Sequence, residues 1–283
     1  MTGPNAEQRE YWNSADSREW IDAASRYDEM LAPFADRVLE AAALSRGERV
    51  LDVGCGNGAT TLAAAELVGT EGEAIGIDLS LPMLDNARAR AAERGLTNAT
   101  FVAADAQVAT LGGPFDAIVS RFGVMFFDDP DAACGNLVGS LGTGGRVAFA
   151  CWRTVPENEW VAVQATAAFA RVPQSGDDFT SDGPGPFRYG DPAALVRSLE
   201  RAGLRDVVAE PFDTTMLLGG SGTLADTMRF VEASGMTRRL LGDASPEQRA
   251  AAIDAVRDAL AAFETHEGVR LGAAVWIVSG RRR

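Results

Sequence analysis

An α/β fold with a doubly wound sheet is predicted by three observations. From Val50 to Trp152 short apolar runs alternate with longer stretches of helical periodicity, the pattern of strands joined by helices and laid side by side in a parallel sheet. The first run, VLDVGCGNG from Val50 to Gly58, passes from a strand-like segment into a turn with glycine at alternate positions, Gly54, Gly56 and Gly58. Two later runs lead directly into acidic residues, Asp78 and Asp105. In such sheets ligands sit outside the carboxyl ends of the strands, so these residues fall at the expected site.

Each element follows from its local pattern. Ala15 to Leu44 carries Trp20, Tyr27, Leu31, Val38 and Leu39 at helical spacing, with a break expected at Pro33. Strands are expected from Val50, over Glu73–Ile77, Thr100–Ala104 and Asp116–Ser120, and in the GGRVAFACW run that ends at Trp152. Thr60–Val68 reads as a helix, and so does Leu81–Arg94, capped by Ser80 and stopped by Gly95. Beyond Trp152 the run SGDDFTSDGPGPF is loop-like. Asp191–Ala202 resumes as a helix, Val207–Leu217 as a strand, Leu224–Leu241 and Pro246–Thr265 as helices, and Ala273–Ser279 as the last strand, which completes a seven-stranded sheet.

The glycine turn serves a nucleotide-type cofactor, because glycine opens backbone angles closed to other residues and lets a ligand approach without a Cβ in the way. Gly54, Gly56 and Ala59 also satisfy the dinucleotide fingerprint G-x-G-x-x-G/A, which leaves NAD and S-adenosylmethionine both open. Asp78 lies about 20 residues beyond the turn, where a carboxylate accepts hydrogen bonds from the ribose that both cofactors share. Asp105, beside the Ala106 backbone N–H, is placed to read the amino group and ring nitrogen of adenine. Asp52 just ahead of the glycines would repel a diphosphate and attract a sulfonium and an α-amino group, so the charges favour the cationic cofactor.

Through VLDVGCGNG, IGIDLS, FVAADAQ, FDAIVSRFGVMFF and GGRVAFACW, in that order, residues 36 to 153 resemble the class I S-adenosylmethionine-dependent methyltransferases, and among them the ubiquinone and menaquinone type of small-molecule enzymes. The resemblance implies a Rossmann-like core. It also implies that Gly54 and Gly56 line the methionine part of the cofactor, Asp78 with Leu79 the ribose, and Asp105 with Ala106 the adenine, while Arg121 lends mainly its backbone carbonyl to the amino group. The chain then divides into an N-terminal helical lid segment (1–35), a cofactor-binding core (36–153), substrate-cap insertions (154–190 and 222–265) and the completion of the sheet (191–221 and 266–283). An enzyme that binds S-adenosylmethionine without methylating, and an NAD-dependent oxidoreductase, are the alternatives.

Composition sets limits on the acceptor. A length of 283 residues with 46% hydrophobic content can bury a substantial core, and no window is apolar enough to span a membrane. The net charge of −14 argues against nucleic acid, whose phosphates require a basic face. A small-molecule acceptor is expected. The polar first residues show no secretory signal, so a cytoplasmic location is expected; the oligomeric state is left open, a homodimer included. Cys55, Cys134 and Cys151 have no metal-ligand spacing and no histidine nearby, so no metal is expected.

Trp152, directly after the fifth strand, is expected in the acceptor pocket together with Trp160 and Phe126, while Phe179, Phe187, Met228 and Phe230 mostly join cap to core. The only histidine, His266, falls in a turn, where a surface role is expected. Tyr11, Asp128 and Glu159 are further candidate bases that nothing distinguishes, and no catalytic residue is named.

Overall fold

The computed structural model describes residues 3–172 and 183–283. Seven strands form one sheet in the order β3-β2-β1-β4-β5-β7-β6. β1 (Arg49–Val53) lies parallel between β2 (Glu73–Asp78) and β4 (Phe115–Arg121), with β3 (Ala99–Ala103) outside β2 and β5 (Leu141–Trp152) beyond β4. The winding direction reverses between β1 and β4. That reversal opens a crevice at the carboxyl ends of the two strands.

The parallel sheet expected from Val50 to Trp152 is present in β1 to β5. β7 (Arg270–Arg282) runs antiparallel between β5 and β6 (Leu204–Leu217), so the sheet is mixed. β7 also outruns the expected Ala273–Ser279, because it has a partner strand on either side to satisfy its backbone. β6 starts earlier than expected, at Leu204, and its register shifts between Arg205 and Val208, where Asp206 takes a φ of +53°. A bulge of this kind breaks the alternation on which a strand is recognised.

Three helical expectations are corrected. α3 (Ala24–Ala42) runs straight through Pro33. Its apolar face buries Tyr27, Met30, Leu31, Phe34, Val38 and Leu39, and burial of this size, about 1.5 to 3 kcal/mol per large side chain, outweighs the roughly 3 kcal/mol cost of an interior proline. The expected helix Leu224–Leu241 is two, α9 (Leu224–Ala233) and α10 (Gly235–Leu241). Ser234 between them has extended angles and accepts a hydrogen bond from the Thr237 N–H, an N-cap in mid-segment. α11 likewise ends at Ala261 instead of Thr265.

The first residues, read only as polar, form α1 (Ala6–Trp12), and the helical segment expected from Ala15 begins with a short α2 (Glu19–Asp22) that is separate from α3. α4 (Ala59–Val68) and α5 (Leu81–Glu93) follow β1 and β2, α6 (Pro130–Ser140) follows β4, and α7 (Glu159–Phe169) and α8 (Ala193–Arg201) come after β5. No described helix is long and apolar enough to cross a membrane.

Gly54 and Gly56 both take positive φ, +68° and +51°. A Cβ on Gly54 would stand 2.6 Å from the Gly123 Cα, whereas one on Gly56 would meet only the Met83 sulfur, at 3.6 Å. Gly54 is therefore required by the approach of two backbones. Gly54→Ala should cost about 2 kcal/mol or more and Gly56→Ala about 1 kcal/mol, read from urea denaturation midpoints. Equal losses would mean that backbone angle alone decides.

Candidate active site

A cavity of about 690 Å³ opens at the carboxyl ends of β1, β2 and β4 and is roofed by helices from both ends of the chain. Val53, Gly54 and Gly56 reach it from the first turn, Asp78 and Leu79 from the end of β2, Asp105 and Ala106 from beyond β3, and Arg121 from the end of β4. Trp152, Trp160 and Phe126 line it as well. The chemistry expected along the chain is thus brought to one place, with one exception.

The exception is Asp52. Successive strand residues face opposite ways, and it is Val53 that borders the cavity. Asp52 is 1% exposed, and its Oδ2 accepts the Thr61 hydroxyl hydrogen bond from α4 at 2.6 Å, while its Oδ1 is buried without a partner. Its charge acts on the site from behind the wall, opposing Asp78 and favouring Arg121. Burial pushes its carboxyl up to about 6.

Asp78 is fixed to the loop it faces. Its Oδ2 accepts from the Gly56 N–H at 2.8 Å and its Oδ1 from the Ser80 N–H at 2.8 Å. Each oxygen keeps a lone pair for a ligand hydroxyl. Burial raises its pKa, against the pull of these amides. Asp105 accepts through Oδ1 from the Gln107 N–H at 2.9 Å and from the Asn5 side chain at 2.8 Å, and its Oδ2 is buried without a hydrogen bond. An acceptor atom left open beside a cavity suits the amino group of a purine.

Aromatic rings form two walls. Phe122 stacks on Trp152 with centroids 4.2 Å apart, and Trp160 lies 5.1 Å from Trp152. Across from them Trp20 stacks on Tyr27 at 3.9 Å, and Trp12 meets Phe126 edge to face at 5.6 Å. Of the other cap aromatics Phe230 lines the cavity, Phe187 is buried against Trp160, and Phe179 lies outside the described residues. Asn5 and Trp12 were not singled out from the sequence; Trp12, beside Tyr11 in a helix-forming stretch, was the available signal.

The candidate bases are placed as follows. His266 is exposed on the turn before β7 and does not border the cavity. Glu159 accepts from the Gly272 N–H, and Asp128 from the Asn5 N–H, so both hold backbone. Tyr11 does line the cavity, but burial and the nearby Glu19 push its phenol above its ordinary pKa. Among the described residues no group of acidic, histidine or cysteine side chains is arranged to hold a metal.

A family model described as a methyltransferase domain matches residues 50–145. The chain is 32% identical to nocamycin O-methyltransferase of Saccharothrix syringae over 189 residues, covering 63% of this chain and 67% of that protein. It is 39% identical over 134 residues, 45% of its length, to aklanonic acid methyltransferase DauC of Streptomyces sp. strain C5, and spans 60% of that relative. The solved YcgJ protein of Bacillus subtilis shares the fold, with a TM-score of 0.56 at 18% identity over 88% of this chain and 97% of that one. The chain belongs to the class I S-adenosylmethionine-dependent methyltransferases, and its cofactor is S-adenosylmethionine. The Asp105 oxygen that accepts no hydrogen bond and has only the Arg9 guanidinium at 3.9 Å, the anchored Asp78 and the open side of Gly56 fit that cofactor.

The raised Asp52 carboxyl sets a pH dependence. The folded chain holds a proton that the unfolded chain releases near pH 3.9, so this contribution to stability is present below that value and is lost as pH rises through about 6. Asp52→Asn keeps the acceptor for Thr61 and removes the ionisation. Relative to the parent, it should gain on the order of 2 kcal/mol between about pH 4 and pH 7 in urea denaturation, and a difference constant with pH would contradict this account.

Proposed function

We propose that this chain transfers a methyl group from S-adenosylmethionine to an oxygen of a small, partly apolar molecule. The observation that carries this reading is one cavity lined both by the glycine turn with its carboxylates and by two sets of aromatic rings. Its volume of about 690 Å³ falls within the range of small-molecule sites, which are mostly apolar with a few placed polar groups. The names of these two relatives, an O-methyltransferase and the methyltransferase of an acid, support oxygen over carbon and nitrogen. The net charge of −14 supports a small molecule over nucleic acid.

When bound, the cofactor supplies a methyl group on a positively charged sulfur, ready for in-line displacement by a nucleophile. The chain then needs to hold two reactants in line and keep water out, an effect worth on the order of 7 kcal/mol or more. In this reading Asp78 takes the ribose hydroxyls, Asp105 and Ala106 the adenine, and Gly54 and Gly56 the methionine end. Trp152, Trp160 and Phe126 face the acceptor. α1 and α2, with α7, α9 and α10, serve as the lid and cap that select it.

Calorimetry with S-adenosylhomocysteine tests the cofactor half of this assignment. Asp78→Ala should weaken binding by about 1.5 to 3 kcal/mol, the usual loss of a charge-assisted hydrogen bond, and unchanged affinity would remove Asp78 from the ribose. For the chemical half, methyl transfer is followed against a panel of phenols and carboxylic acids. His266→Ala should keep turnover within about tenfold, whereas loss of a true general base costs roughly a hundredfold or more.

A further inference from the structure

One cation that lines the cavity, Arg121, has no carboxylate within ion-pair distance among the described residues. Arg121 ends β4 and lines the cavity beside Leu31 and Asp28 of α3. Its Nη1 donates to the Leu31 carbonyl at 3.5 Å, the long limit of a hydrogen bond, and among the described residues no carboxylate stands within ion-pair distance of it. The two acids nearest in charge are already engaged. Asp28 is paired with Arg90, which also donates to the Asn57 carbonyl of the glycine turn at 2.7 Å, and Asp52 is bonded to Thr61 behind the wall. A half-buried guanidinium that borders a cavity with a single long contact has donors free to meet an anion there.

The position of Arg121 selects among anions. The turn that follows it packs directly on the glycine turn, since the Gly123 Cα blocks the Cβ direction of Gly54. Arg121 therefore borders the part of the cavity assigned above to the amino-acid end of the cofactor, and that end carries one carboxylate. We infer that the Arg121 side chain binds the carboxylate of the methionine moiety of S-adenosylmethionine, a role apart from its backbone carbonyl and one that rests on the proposed placement of the cofactor. A planar guanidinium suits a carboxylate because its N–H groups form a fork that both oxygens can meet. The arrangement also keeps the guanidinium from pairing with Asp28, which Arg90 holds.

The test compares ligands with and without that carboxylate, by calorimetry on the full chain. The parent protein should bind S-adenosylhomocysteine about tenfold to a hundredfold more tightly than Arg121→Ala does, the loss expected of a charged hydrogen-bonded contact. Both proteins should bind 5′-methylthioadenosine, which has the same nucleoside and thioether but no amino-acid part, with affinities within about twofold, and Arg121→Lys should recover part of the loss. On the parent alone, decarboxylated S-adenosylmethionine should bind more weakly than S-adenosylmethionine by the same factor, a measurement that does not depend on the variant folding. An equal loss for S-adenosylhomocysteine and 5′-methylthioadenosine would overturn the inference, since Arg121 would then shape the nucleoside site. Unchanged S-adenosylhomocysteine affinity in Arg121→Ala would also overturn it and leave the acceptor as the source of the anion. Failure of the parent to bind S-adenosylhomocysteine at all would instead bring down the cofactor placement itself.

Discussion

Three strand ends are tied together around the turn between β1 and α4, and the cavity is built on that rim. The Ser120 hydroxyl donates to the Val53 carbonyl at 2.7 Å and accepts from the Gly123 N–H at 3.2 Å, which joins the end of β1 to the turn after β4. The backbones of Gly54 and Gly123 then meet too closely for any side chain between them. From the other side Asp78 holds the Gly56 N–H. A carboxylate that lines the cavity is thus also a structural clamp, so the end of β2 and the glycine turn are set by one side chain. Preorganisation of this kind lowers the cost of ordering a site when its ligand arrives.

The same rim is closed from above by segments remote in sequence. Asn13 donates to the Leu79 carbonyl at 2.9 Å and accepts from the Leu81 N–H at 3.0 Å, and the Ser80 hydroxyl donates to the Trp12 carbonyl at 2.7 Å, so α1 is bound to the turn after β2. Asn5 reaches across to Asp105. An aromatic chain continues from Trp12 through Trp20 and Tyr27 to Phe230, linking the N-terminal helices to α9. Edge-to-face and stacked pairs of this type each add about 0.5 to 1.5 kcal/mol beyond burial. The N-terminal helices and α9 therefore share one continuous aromatic lining of the cavity.

Charge is distributed unevenly over this frame. The chain is strongly acidic, yet arginines enter the cavity region at Arg121 and Arg238, and Arg90 binds the glycine turn from outside. Arg238 is paired with Glu19 at 3.0 Å, and Arg90 with Asp28. Such pairs orient helices without leaving free charge in the site. Arg121 differs from them because its surroundings were arranged around other partners.

Much of the fold and most of the strand-end residues that line the cavity could be read from local pattern. Alternating apolar runs and helical periodicity report burial directly, and glycines at alternate positions report backbone angles that other residues avoid. Asp78, Asp105 and Arg121 were legible because each follows its strand by a few residues at most, and the carboxyl end of a parallel strand points to the crevice. What tertiary structure alone decided depends on neighbours that no local pattern contains. Thr61 takes the Asp52 carboxylate out of the cavity, the apolar face of α3 carries the chain through Pro33, and β5 and β6 extend β7 at both ends. The docking of Asn5 rests on partners 100 and 102 residues away, and the isolation of Arg121 on the pairing of Asp28 with Arg90. The sequence by itself determined which residues can bend, bury or carry charge; only packing determined which of those charges meet one another and which are left for a ligand.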